Sequence, residues 1–267
     1  MTLPETERLH PASRDLSSLD PLGVIELMDT VEPATLAAVA DARPLIAAAA
    51  ERIGEVVDAG GRVAMLGAGT SGRIVAGEIS ELAPTFGEVG RQFQALVAGG
   101  GLAVSIAVSE DDVEAPARRI DELALGPGDA VVGVAASGTT PFVVAGVRAA
   151  RAAGAWTCGM ASNAPSPLLD DVDLGVRLAT GPEILTGSTR LQAATAQKLA
   201  LNRMTTAAMV STGRVARNQM VDMRVSVDKL KRRAVRIVAD LAEVTEAEAE
   251  DRLARSDWVI RRALEAG

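Results

Sequence analysis

The sequence predicts an α/β protein, a three-layer sandwich in which helices cover both faces of a mainly parallel, doubly wound sheet. Short apolar runs alternate along the chain with helical segments, which is the order of a parallel sheet with helical crossovers. The runs also lack the polar alternation of a strand with one face in water. Because 48% of the 267 residues are hydrophobic, the chain can bury a sizeable core.

The candidate elements follow one another in a regular order. Helical periodicity over 21–59 ends at Gly60 and Gly61, as a helix C-terminus does. Five apolar runs predict strands, in the stretches 62–69, 93–100, 129–140, 154–163 and 173–180. Later helices are predicted over 141–154, 187–211 and 228–265. We therefore expect three parts, an N-terminal helical segment over 1–60, an α/β domain over 61–227 and a C-terminal helical region over 228–267.

Composition excludes several classes of function. The net charge is −8 and the only basic cluster is the short run 229–233, so no nucleic-acid partner is expected. No run approaches the roughly 20 apolar residues of a membrane helix, and the first residues do not resemble a signal peptide, so we expect a cytoplasmic protein without a membrane partner. His10 is the sole histidine, which leaves no histidine-based metal site or Ser-His-Asp triad. The single cysteine, Cys158, lies in an apolar stretch typical of a buried thiol.

Two similar loops follow predicted strands and open predicted helices. The first hydroxyl loop is "GAGTSG", residues 67–72, and the second hydroxyl loop is "ASGTTP", residues 136–141. Backbone N–H groups at a helix N-terminus, together with serine and threonine hydroxyls, form a cradle for an anion such as a phosphate. The first loop also satisfies the G-x-G-x-x-G pattern of dinucleotide sites, but no acidic residue ends the next strand. The two loops are interpreted as holding a phosphorylated sugar between them. One alternative is a nicotinamide cofactor, and another is that the glycines only make tight turns.

Two glutamates follow the first hydroxyl loop at helical spacing. Glu78 and Glu81 stand three residues apart, so they lie on nearly the same helix face. Glu81 is expected close to the "APTFG" turn, residues 83–87, that ends the helix. An apolar turn such as 82–84 beside it favours a protonated carboxyl that can act as a general acid. Exposed surface glutamates are the alternative interpretation.

Several longer stretches carry a resemblance to a known family. They are "TERLHPAS", "GAGTSGR", "SELAPTFG", "VAGG", "EDD", "VVGVAASGTTPFV", "GPEILTGSTRLQAATAQKLALN" and "NQMVDMRVS". The chain resembles phosphosugar-binding proteins of the sugar isomerase (SIS) fold and, more closely, the N-acetylmuramic acid 6-phosphate etherases. The resemblance covers about residues 6–228.

The resemblance implies a reaction and a set of site residues. Such etherases open the ring of an N-acetylated amino sugar 6-phosphate, remove the carbon 2 proton, expel lactate from carbon 3 and then add water. The resemblance implies no metal or organic cofactor. It does imply a homodimer with its pocket near the subunit interface. The catalytic carboxylates fall on Glu81, as proton donor, and Glu110. The remaining residues implied to bind substrate or phosphate, or to support the pocket, are Gly69, Thr70, Ser71, Ser137, Gly138, Thr139, Thr140, Glu183, Ser188, Thr189 and Lys198.

Four departures from the family pattern leave alternatives open. Leu82 and Ala83 replace a Cys-Pro pair, the segment before Glu110 is about two residues shorter, and the C-terminal helical region is abbreviated. The family's "SGRTPY" reads "SGTTPF" here, so Thr139 replaces an arginine that would balance a phosphate or lactyl carboxylate. A lyase that expels water from N-acetylglucosamine 6-phosphate is one alternative to the etherase. A noncatalytic sugar-phosphate sensor or an isomerase is another.

Overall fold

A single parallel sheet organises the centre of the molecule. The structure is a computed structural model that describes residues 3–100 and 107–266. The strands of the sheet are β1 (Val63–Gly67), β2 (Phe93–Val97), β3 (Ala130–Val134), β4 (Trp156–Ala161) and β5 (Leu174–Arg177). They lie in the order β2-β1-β3-β4-β5 and every pairing is parallel. All five predicted strands are confirmed, each shorter than its apolar run because the turn residues at the run's end leave the sheet.

The two hydroxyl loops leave the sheet side by side. The β1 and β3 strands are neighbours, and their registers place Gly67 beside Val134 at the carboxyl ends. From β1 the chain first winds outwards to β2 and then returns to β3 on the other side, so the strand order reverses between β1 and β3. In open parallel sheets ligands bind at this reversal, beyond the carboxyl ends of the strands. The fold therefore places both loops where a ligand is expected.

Alternate residues of each strand pack against helices on opposite faces of the sheet. Val63 and Met65 belong to a core formed with α2 (Arg43–Asp58), α3 (Gly69–Phe86) and α7 (Gln192–Ser211). Ala64 and Leu66 point the other way, into a core with α4 (Glu114–Glu122), α5 (Pro141–Ala152) and α6 (Pro167–Asp170). The predicted three-layer sandwich is confirmed, and burial on both faces explains why the strands are apolar throughout.

The N-terminal helices cover part of the first core. The α1 helix (Pro21–Asp41) is capped by Asp20, whose carboxylate accepts a 2.8 Å hydrogen bond from the N–H of Gly23. Ala42 separates α1 from α2. The break occurs here because Pro44 is favoured in the first turn of a helix and disfavoured in a helix interior. Both helices contact α7. Within this chain, α7 is therefore a core helix.

Two predicted helix boundaries are corrected. The long helix begins at Gln192 and not at Gly187, because Gly187 has a φ of +74° that no right-handed helix contains. The predicted turn at 83–87 does contain the end of α3, but the helix continues through Pro84 to Phe86 and stops only at Gly87, whose φ is +62°. Glu81 therefore lies within a continuous helix, a little more than one turn before its end.

The C-terminal region has a core of its own. A short hairpin, β6 (Val215–Ala216) with β7 (Gln219–Met220), leads to α8 (Asp228–Ala242), α9 (Glu246–Arg255) and α10 (Ile260–Glu265). Thr245 caps α9 by accepting a hydrogen bond from the N–H of Glu248. The apolar side chains of the three helices pack together with Val221 and Met223. The predicted helical tail is confirmed in outline, while the limits of the three predicted domains stay a prediction.

Two further predictions concern burial and apolar length. The Cys158 side chain is fully buried in the first core, and burial raises the pKa of its thiol to about 12. The prediction of a structural thiol is therefore confirmed. Among the described helices, none is long and apolar enough to cross a membrane.

Candidate functional site

The first hydroxyl loop forms the N-terminus of α3. The helix begins at Gly69 directly after β1, so the N–H groups of its first turn have no helical acceptors. A Cβ on Gly67 would lie 2.7 Å from the nitrogen of Gly72, so strand and helix approach more closely than side chains allow. Thr70 accepts a 3.0 Å hydrogen bond from the guanidinium of Arg73. Donors and a positive charge therefore meet at the start of α3, where an anion is favoured.

The second hydroxyl loop is held in one conformation by its own hydroxyls. The Ser137 Oγ lies 3.3 Å from the Thr140 Oγ1 and accepts a 3.2 Å hydrogen bond from the N–H of Thr139. Gly138 has a φ of +72°, and a Cβ there would lie 2.3 Å from the Ser166 Oγ. The Thr139 side chain is exposed at the surface of the loop. The two loops are thus preformed and lie on adjacent strands, as the sequence predicts.

Glu183 supports the start of α7. It is fully buried, and its two carboxylate oxygens accept hydrogen bonds of 2.9 and 3.0 Å from the N–H groups of Gln192 and Ala193. Burial raises the pKa of Glu183, an effect that these two N–H groups partly offset. Ser188 and Thr189 lie in the turn between Glu183 and the helix. The Glu183 carboxylate thus caps the N-terminus of α7 and holds this turn in place.

Glu78 and Glu81 have different environments, although they share a helix face. Glu78 is buried against α7, where Lys198 donates to one carboxylate oxygen and the Thr205 hydroxyl donates to the other over 2.6 Å. Glu81 is exposed. Glu78 therefore fixes Lys198, which itself remains half-exposed. The interpretation as a surface glutamate is wrong for Glu78, because α7 covers it, and agrees with the exposure of Glu81.

Neither implied catalytic glutamate lies on the first hydroxyl loop. Glu81 follows Thr70 by eleven residues of one helix, which corresponds to about 16 Å along its axis. Glu110 is half-buried in a single 3₁₀ turn, Ala107–Asp111, that packs against α5. The described chain thus places the two hydroxyl loops side by side and packs α3 against α7, but holds Glu81 about three helical turns from the first loop.

Comparison with known proteins identifies the family. The chain is 42% identical over 261 residues to an N-acetylmuramic acid 6-phosphate etherase of Deinococcus radiodurans, an alignment that covers 97% of this chain and 86% of the relative. It is 44% identical over 238 residues to an enzyme of the same name from Cutibacterium acnes, covering 88% of this chain and 78% of the relative. The chain belongs to the N-acetylmuramic acid 6-phosphate etherase family.

Domain and structure comparisons agree with this family. Residues 45–151 match the N-terminal SIS domain of glucokinase regulatory protein, and residues 217–264 match the C-terminal lid domain of the same protein. A phosphoheptose isomerase from Francisella tularensis has a TM-score of 0.55 at 19% identity, covering 71% of this chain and 98% of that chain. The Vibrio vulnificus NanR protein complexed with ManNAc-6P has a TM-score of 0.51 at 16% identity, covering 74% and 66%. At these identities the two structures support the fold alone.

One set of contacts beside the candidate site has no signal in composition or periodicity. The N-terminal residues lie against the carboxyl ends of β4 and β5, where Thr6 donates its N–H to the Asn163 side chain over 3.2 Å and accepts from the same amide over 2.9 Å. The Thr6 carbonyl accepts from the N–H of Gly187 over 3.2 Å. These contacts tie the first described residues to the turn before α7. The quoted stretch "TERLHPAS" was the only feature of the sequence that marked them.

Arg73 is a second residue that the analysis of the sequence left without a role. It lies one helical turn after Thr70 and bonds to it. It places a guanidinium at the edge of the first hydroxyl loop. Its position in "GAGTSGR", three residues after Thr70, is the signal that could have found it.

Proposed function

We propose that this chain is an N-acetylmuramic acid 6-phosphate etherase, a carbon–oxygen lyase. It would cleave the lactyl ether of the substrate to give D-lactate and N-acetylglucosamine 6-phosphate. The observation that carries the proposal is identity above 40% to enzymes of that name along nearly the whole chain. The paired hydroxyl loops at the β1/β3 reversal support it, because they offer the donors that a sugar phosphate needs.

The proposed chemistry needs only two carboxyl groups that exchange protons and a water molecule. In the open-chain substrate the aldehyde at carbon 1 acidifies the hydrogen on carbon 2. One carboxylate removes that proton, a protonated carboxyl donates to the ether oxygen on carbon 3, and the carbon–oxygen bond breaks to release lactate. Water then adds to carbon 3 of the unsaturated aldehyde, and a proton returns to carbon 2. We assign the donor to Glu81 and the second carboxylate to Glu110.

The two hydroxyl loops would hold the 6-phosphate. N–H groups from Gly69 to Ser71 and the hydroxyls of Thr70, Ser71, Ser137 and Thr140 are the donors that we assign to it. Arg73 would add a positive charge beside Thr70. Lys198, half-exposed and aligned by Glu78, would present its remaining donors to the pocket.

The active unit would be a homodimer. An open-chain hexose phosphate, even when fully extended, reaches less far from its phosphate to carbon 2 than the distance of about 16 Å between the phosphate loop and Glu81 along α3. A sugar in the loops of one protomer would therefore meet Glu81 of the partner subunit. A two-fold arrangement gives two such sites, each built from both chains. A location in the cytoplasm and the absence of a nucleic-acid or membrane partner stay predictions.

The decisive experiment offers the protein two substrates. Purified enzyme is incubated separately with N-acetylmuramic acid 6-phosphate and N-acetylglucosamine 6-phosphate, and the products are followed by mass spectrometry in ¹⁸O-labelled water. We expect lactate from the first substrate and one ¹⁸O atom on carbon 3 of the sugar product. N-acetylmuramic acid without its phosphate is the matched control and should react far more slowly.

A dehydratase is the second candidate, and the exposed Thr139 favours it. The threonine offers no positive charge to a lactyl carboxylate, so selection for the lactyl ether would be weaker. Net loss of water from N-acetylglucosamine 6-phosphate without lactate from the other substrate would establish the dehydratase. Tight binding of either sugar phosphate without turnover would instead refute both lyases and support a sensor.

A further inference from the structure

Ser71 is hydrogen-bonded to a buried side chain that the proposed chemistry does not use. Its Oγ lies 2.9 Å from the Oε1 of Gln197, on the α7 helix. Gln197 is 1% exposed and Ser71 is 9% exposed, so water does not compete for this contact. Within the described residues, the Nε2 of Gln197 has no hydrogen-bond partner. An amide nitrogen buried without a partner is rare and costly.

The direction of this hydrogen bond matters for anion binding. A serine hydroxyl carries one hydrogen, so if Ser71 donates it to Gln197 it can offer a phosphate only its lone pairs. Lone pairs repel an anion. The contact as it stands would therefore remove one donor from the first hydroxyl loop when a phosphate binds there.

Rotation of the Gln197 amide by half a turn removes both problems. The two ends of a glutamine amide have nearly the same shape, and either one can face the Ser71 hydroxyl. After the rotation the Nε2 donates to the Ser71 Oγ, and the serine hydrogen is free to point at the phosphate. The carbonyl oxygen then takes the unpartnered position, which is tolerated better than an unpartnered N–H.

We propose that Gln197 is a positioning residue that directs the hydroxyl hydrogen of Ser71 onto the phosphate of the bound sugar. This inference rests on the proposed function, because it takes the first hydroxyl loop to be the phosphate site. Gln197 touches no substrate atom and acts only through Ser71. It also links phosphate binding to α7, the helix that carries Lys198 in the next position.

Two substitutions of similar shape separate the possible roles of Gln197. Gln197→Glu places a carboxylate that can only accept, so it holds the Ser71 hydrogen away from the phosphate and adds a repelling charge. Gln197→Met fills the same space with no hydrogen bond. We expect the dissociation constant for N-acetylglucosamine 6-phosphate to rise by about tenfold or more in the glutamate variant and by a smaller factor in the methionine variant.

The pH dependence of binding and a double-mutant cycle distinguish this positioning role from a packing role, because a purely packing role would change neither result. Protonation of the introduced carboxyl at acid pH restores a donor, so the glutamate variant should recover most of its lost affinity there while the wild type does not improve. Ser71→Ala combined with Gln197→Met should bind no more weakly than Ser71→Ala alone, because Gln197 acts through Ser71. If the methionine variant does not fold, the glutamate variant at acid pH carries the comparison.

Isothermal titration with N-acetylglucosamine 6-phosphate distinguishes the failure of each proposal. Additive losses in the cycle, or Gln197 variants that bind as tightly as the wild type while Ser71→Ala binds weakly, would overturn the role of Gln197 alone. Wild-type protein that does not bind the sugar phosphate, or Ser71→Ala that binds normally, would overturn the phosphate site itself. Unphosphorylated N-acetylglucosamine, whose binding none of the variants should change, is the control.

Discussion

If Glu81 acts across the subunit interface, two inactive variants should restore each other. Thr70→Glu places a negative charge at the first turn of α3, where the helix tolerates it but a phosphate does not. Glu81→Gln keeps the shape of the proposed donor and removes its acid. Each homodimer should lose about two orders of magnitude or more in kcat/KM. The distance of about 16 Å between these positions on one helix predicts that they serve different sites.

The heterodimer of these variants has one intact site. The intact site takes its phosphate loop from the Glu81→Gln chain and its Glu81 from the Thr70→Glu chain. The other site carries both substitutions. We therefore expect about half of the wild-type rate per dimer. The two chains are co-expressed with different affinity tags, the heterodimer is isolated through both tags, and lactate release is measured.

A matched heterodimer reverses the expectation. When wild-type chain is paired with a chain carrying both substitutions, each of the two sites receives one defect and the heterodimer should be nearly inactive. If Glu81 served the loop of its own chain, this second heterodimer would keep about half of the activity and the first would have almost none. That result would refute the reasoning from the length of α3.

Three further predictions concern stability and reactivity. Asp129→Asn should lower the free energy of unfolding by about 2 kcal/mol. Burial alone would raise the pKa of Asp129, but hydrogen bonds from Arg62 and Gly126 and the charge of Arg62 outweigh it and hold the pKa below its ordinary value of 3.8, so the difference measured by urea unfolding should shrink as pH falls through the lowered pKa. Gly138→Ala should cost about 1–3 kcal/mol and weaken sugar phosphate binding, because a methyl group strains a φ of +72° and collides with a neighbouring hydroxyl. Gly77→Ala is the control: it lies inside α3 and meets nothing within 4 Å, so it should raise the stability by about 0.5–1 kcal/mol and leave binding unchanged. Cys158, with a pKa of about 12, should react with a chromogenic thiol reagent only after denaturation, and reaction in the native protein would contradict its burial.

The architecture could be predicted from the sequence because its signals are local. Apolar runs at strand length, proline near helix starts and glycine after helix ends all act within a few residues. The errors came from the same local rules. The stretch 83–87 looks like a turn, yet packing of Leu82 and Phe86 in the first core keeps it helical as far as Phe86.

The site could be predicted only in part, because several of its contacts join residues that are far apart in sequence. Both hydroxyl loops were found, since each has its own local pattern. The ion pair of Glu78 with Lys198 joins residues 120 apart in the sequence. The hydrogen bond between Ser71 and Gln197 joins residues 126 apart. No periodicity within α3 or α7 indicates which of its polar side chains faces the other helix.

The contact of Thr6 with Asn163 has a consequence for how the protein is made. Thr6 is synthesised 157 residues before its partner amide, and Gly187 follows later still. The segment around Thr6 must therefore wait, undocked, until most of the sheet has been translated. Its docking is a late event, so the turn before α7 gains this support only when the segment around Thr6 returns to it.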